Sequence, residues 1–155
     1  MAFSFSIVDP TGNTTDTATV SLVVSPDSAI ITGANITPGE SLSGTVNASN
    51  TGSVDEFYQI TVNWSPSGST STSAATRLVD ALIVSVTAGS PSASLSPVFA
   101  GSMSSLIDQP ASPGQSLPLS VGNENVAFTV NLPSDATSSL EGIDVGFDIV
   151  FVALS

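Results

Sequence analysis

Apolar and small polar residues alternate strictly along several stretches of the chain, and a period of two marks a strand with one face buried. In residues 2–8, Phe3, Phe5 and Ile7 share one side while Ser4 and Ser6 share the other. Ala18, Val20, Leu22 and Val24 line up within residues 17–24. Leu42, Gly44, Val46 and Ala48 do so within 41–49, with Ser43, Thr45, Asn47 and Ser49 opposite. Tyr58, Ile60, Val62 and Trp64 repeat the pattern, as do Val126, Phe128, Val130 and Leu132. The closing stretch places Ile143, Val145, Phe147, Ile149 and Phe151 on one side, then turns apolar on both through Val150, Val152 and Leu154. That predicts a central strand covered on both faces.

Turn chemistry separates these runs. Thr37-Pro38-Gly39-Glu40 carries Pro and Gly at the positions a type II turn requires. Asn50-Thr51-Gly52 lies between two strands at hairpin distance, and Pro113-Gly114 sits in a Pro-rich connection. Two stretches follow helical spacing instead. Ala74, Ala75, Leu78, Val79 and Leu82 predict a helix over 73–82, with Ser73 as its N-cap, running directly into a strand at 83–87. Met103, Leu106 and Ile107 predict a second short helix within 101–108. The expected fold is all-β: a jelly-roll-like antiparallel β-sandwich of about eight short strands, with one or two short helical insertions. An N-terminal strand and hinge, residues 1–12, precede a single sandwich domain over 13–155.

Composition sharpens this picture. Charged residues make up 9% of the 155, against about a quarter in an ordinary globular domain. Thirteen Asp and Glu face a single cation, Arg77, for a net charge of −12, with no His and no Cys. Nothing here can neutralise phosphates, so nucleic acid is excluded as a partner, and so is an anionic membrane surface. No stretch approaches the length of apolar sequence that spans a bilayer. Met1-Ala2-Phe3-Ser4-Phe5 lacks the cationic and long apolar regions of a signal peptide. Together with the Ser/Thr-rich, Lys-free composition, this reads as the mature form of an exported protein, extracellular at a cell surface or in a biofilm matrix.

Without His or Cys, neither a Ser-His-Asp nor a Cys-His arrangement can be built, nor an imidazole or thiolate zinc site. The chain is expected not to be an enzyme, with no cofactor and no metal. Paired carboxylates remain as a hydrolase chemistry, but Asp55 and Glu56 are adjacent and would point to opposite faces of a strand. Residues 9–16 and the acids Asp135, Glu141 and Asp144 read as solvated turns rather than calcium loops. Four sequons make Asn13, Asn35, Asn47 and Asn63 candidate N-glycosylation sites. Tyr58 and Trp64 would offer a sugar platform if they faced outward, although their alternation with polar residues places them in the core.

Two readings of the N-terminal strand stand side by side. It pairs within its own sheet, or it is donated to a neighbouring copy. Burying Phe3, Phe5 and Ile7 in a neighbour would contribute roughly 5–9 kcal/mol before costs. Such a head-to-tail contact does not close and makes a fibre. The corresponding functions are a filament subunit, with identical subunits as partners and filaments able to bundle laterally, or a monomeric adhesion and binding module at the cell surface.

Ile36-Thr37-Pro38-Gly39-Glu40-Ser41-Leu42, followed by Asn50-Thr51-Gly52-Ser53-Val54, resembles the L-x-P-G-[DE]-x-L … N-x-G-[ST]-[LV] pattern of the TasA and camelysin proteins of bacterial biofilm fibres. The Ala2-Phe3 start, the helix feeding a strand and the closing pair of strands are similar too. The chain is shorter and far poorer in Lys than the bacterial members, which points toward archaeal bundling pilus subunits. The resemblance implies a jelly-roll core and polymerisation by donor-strand complementation, with Phe3, Phe5 and Ile7 as anchors of the donated strand. The protease label attached to camelysin has no support in a chain without His.

Overall fold

The alternating stretches form two antiparallel sheets facing each other across one core. The computed structural model describes residues 2–7, 14–31 and 36–155, and in 2–7 and 14–17 the backbone alone. Strands β1 (Ala2–Ile7) and β2 (Thr14–Thr19) pair antiparallel as a two-stranded sheet of their own. Then come β3 (Leu22–Ser25), β4 (Ser41–Asn50), β5 (Glu56–Pro66), α1 (Thr72–Ala81), β6 (Ile83–Gly89), β7 (Ser96–Ser102), β8 (Gln115–Leu117), β9 (Asn123–Asn131) and β10 (Val145–Leu154). The larger sheet runs β3-β4-β9-β6-β7 and the smaller β10-β5-β8. The result is the all-β sandwich with a short helical insertion that the sequence predicts.

Period-two alternation places one row of each strand in the core. Tyr58 and Ile60 of β5, Val84 and Val86 of β6, and Val126 and Phe128 of β9 are almost wholly buried. Each large apolar side chain so buried stabilises the fold by roughly 1.5–3 kcal/mol. The Phe151 ring of β10 meets Tyr58 within its own sheet at 5.5 Å and Phe128 of the other sheet edge-on at 6.2 Å. Helix α1 packs Ala75, Leu78 and Val79 into this core.

The Thr37–Glu40 turn forms as its residues dictate, whereas Asn50-Thr51-Gly52 makes no hairpin, because the strands on its two sides, β4 and β5, belong to different sheets. Gly39 takes φ +90°, the left-handed value a type II turn needs at its third position, and Glu40 N–H donates to the Thr37 carbonyl at 2.9 Å. The Glu40 carboxylate accepts from Thr37 N–H at 2.7 Å, and this backbone bond holds its carboxyl below the usual range. Buried Asn50 ties the β4–β5 connection together. Its amide donates to the Val54 and Leu117 carbonyls at 2.9 and 3.0 Å, and its Oδ1 accepts from Gly52 N–H at 2.9 Å.

Four further expectations need correction. Residues 17–24 are not one strand: the run breaks at Val20 and Ser21, so β2 goes with β1 and β3 with β4. The connection after β4 takes the backbone bonds at the break, with Thr51 N–H donating to Ser21 O and Ser53 N–H to Thr19 O, both 2.8 Å. Helix α1 is capped by Ser71, whose Oγ accepts from Ala74 N–H at 3.3 Å, and not by Ser73. The second helix shrinks to one 3-10 turn, Met103–Ser105. Gly101 and Ser102 complete the β7 ladder on β6, while Leu106 and Gln109 bond to β5. Lastly, β10 is not central. It pairs with β5 over ten residues and lies at the edge of its sheet.

Candidate functional site

The edge position of β10 creates the most distinctive surface of the molecule. No strand among the described residues pairs with its outer edge. Phe147, Ile149 and Phe151 point toward the core yet stay half-buried, because the larger sheet does not close over them. Across from them stand Leu22 and Val24 of β3, the other sheet's edge strand, and the segment 26–31. Between lies an open groove of about 550 Å³.

Segment 26–31 forms one wall without completing a sheet. Its Ile30 carbonyl sits so close to β4 that a Cβ on Gly44 would collide with it. That contact explains a glycine in the middle of a strand. No backbone hydrogen bond joins this segment to β10. Beyond Ile31 and Phe147 the groove continues into a second hollow of about 620 Å³, floored by Leu42, Val130 and Leu132. Asp27 and Asp148 stand among the groove residues, so its charge is purely acidic. An unpaired strand edge beside an apolar trough has the features that β-augmentation uses: backbone groups for affinity and pockets for alternate side chains.

Of the predicted anchors, Phe3, Phe5 and Ile7 lie on β1, opposite Ala18, Asp16 and Thr14 of β2. Strand β1 has no other strand partner among the described residues. Asn13 and Asn35 lie outside the described residues. Asn63 is exposed on β5. Asn47 lies on the outer face of β4, and its amide donates to Asn123 and Asn125 Oδ1, both at 3.2 Å. Asp55 is exposed and Glu56 buried, as alternation requires. Among the described residues no group of three or more metal-ligating side chains converges.

Two carboxylates lie inside the sandwich: Glu124, which sequence reasoning did not single out, and Glu56, which it placed only on the strand face opposite Asp55. Glu124 is 4% exposed and accepts a 2.6 Å hydrogen bond from the Tyr58 phenol. Burial, then that bond and the Glu124 charge, push the phenol far above its ordinary range. Glu56 is fully buried. One oxygen accepts from Ser21 N–H at 3.1 Å, and the other has no partner. Burial raises its carboxyl above the usual range, against the Ser21 bond. Neither carboxylate lines the groove. Tyr58 is fully buried and Trp64 packs against the core, so the pair presents no outward aromatic platform. In comparison with known proteins, no family model and no curated protein matches the chain.

Proposed function

We propose that this chain is a non-catalytic structural subunit of an extracellular filament, a pilus or biofilm-matrix fibre. It polymerises when β1 of one copy enters the groove beside β10 of the next. The observation that carries the reading is the unpaired β10 edge along an apolar groove. The sequence of β1 suits that groove. Its six residues, Ala2–Ile7, hold no charge and alternate large apolar residues with Ser. Six extended residues span about 20 Å, a length comparable to the run Phe147–Phe151 on the groove wall. Docking does not require the β1–β2 pair to open, because among the described residues β1 pairs on one side only. The contact is heterologous and propagates as an open fibre. The resemblance to the TasA and camelysin proteins and to archaeal pilus subunits points the same way.

Negative-stain electron microscopy tests this on the full chain, a chain lacking residues 1–9, and Phe5→Asp. Filaments from the full chain alone are expected. Equal filaments from all three would remove β1 from the mechanism. Monomers throughout, across a range of pH and salt, would move the binding-module reading ahead.

A further inference from the structure

The outer face of the five-stranded sheet carries no charge. Strands β3, β4, β6, β7 and β9 contain a single charged residue, Glu124, and it points into the core. The rows across the sheet are neutral and mostly small, with Val23 and Ile83 as exposed larger apolar residues. Ser43 stands opposite Thr129, Thr129 opposite Ser85, and Ser85 opposite Ala100. These positions are exposed or half-buried, and no described helix lies over them. A soluble domain ordinarily scatters Lys, Arg, Asp and Glu over about 25–35% of its surface. Among the described residues the other acids lie elsewhere, as with Asp148 on the other sheet and Asp55, Asp135 and Glu141 in connections. The face is also pre-ordered. Asn47 donates to Asn123 and Asn125, while Ser49 Oγ donates to Asn47 Oδ1 at 2.9 Å.

We infer that this face is a self-association surface on which a second copy of the chain stacks sheet to sheet. The charge distribution selects the occupant. Copies at −12 repel, and contact through a carboxylate-bearing surface brings like charges together. The neutral face is where two copies approach at the lowest electrostatic cost. Flat rows of Ser, Thr and Asn let sheets pack at about 10 Å and interdigitate. Side chains already bonded to one another lose less freedom on docking. This surface belongs to the larger sheet and lies apart from the β10 edge, so it does not depend on strand donation.

The test adds like charge to the face. Ser43→Glu/Thr129→Glu is compared with Ser92→Glu/Ser139→Glu, which adds the same charge at exposed connections. Both are examined in the full chain by sedimentation velocity and electron microscopy. Lateral pairing is expected to disappear in the first variant and persist in the second, with fibre length unchanged in both. Equal pairing in the two variants would overturn the inference. A milder probe covers the case of misfolding. The chain has no cysteine, so Ala127→Cys, at the centre of the face, gives a single thiol. A short bis-maleimide is expected to cross-link Ala127→Cys and not Ser139→Cys. No cross-link at residue 127, or a face that retains soluble polysaccharide without pairing, would reject it.

Discussion

The Tyr58 phenol donates a 2.6 Å hydrogen bond to Glu124 Oε1, joining β5 of one sheet to β9 of the other inside the core. The second carboxylate oxygen has only a long 3.4 Å contact from Gln115 Nε2. The phenol is thus the main group compensating a nearly buried anion, and a hydrogen bond to a charged group contributes about 1.5–3 kcal/mol. Tyr58→Phe is expected to cost about 2–3 kcal/mol in urea denaturation. Glu124→Gln in that background should recover part of the loss, because an amide tolerates burial better than an unpaired carboxylate. If the double variant lost the sum of the two single effects, the pair would not be coupled.

Glu56 gives a pH dependence of opposite sign to the usual acid. Burial raises its folded pKa above the unfolded value. Its contribution to stability is therefore full below the unfolded pKa and is lost as pH rises through the folded pKa. Glu56→Gln removes the desolvated charge and keeps an acceptor for Ser21 N–H. The variant is expected to be more stable than the parent at neutral pH, and the gap should close in acid. Denaturation midpoints across that pH range decide it, and a gap constant with pH would mean that ionisation is not the cause.

Much of the sandwich was legible because its strands obey period two strictly. The rows through Val46, Ile60 and Phe128 are the buried rows of the structure. The two internal carboxylates were legible in principle. Glu56 lies two residues before Tyr58, and Glu124 two before Val126, so each continues an inward row. A carboxylate there instead reads as the end of a strand, since isolated buried charge is costly. The edge position of β10 was not legible. A strand apolar on both faces reads as central, and sheet order depends on non-local pairing that no local pattern contains. For the same reason the break at Val20 was hidden. The alternation continues through it, and only the hydrogen bonds from Thr51 and Ser53 divide β2 from β3.

Assembly in either direction brings subunits of −12 together with one cation apiece to offset thirteen acids. At the groove the nearest such charges are Asp27 and Asp148. Screening shortens their reach to about 10 Å at 0.1 M salt, and less above it. Fibre growth and lateral pairing are therefore expected to accelerate with added salt, with divalent cations that bind carboxylates, and on acidification. Asp27→Asn/Asp148→Asn should accelerate growth at low salt and flatten its salt dependence, because the repulsion it removes is local to the groove. A charge-matched Asp80→Asn/Asp135→Asn variant, at exposed positions that line neither hollow, tells local from global repulsion. If both pairs act alike, net charge governs growth; if growth ignores salt, divalents and acid altogether, electrostatic repulsion does not control assembly.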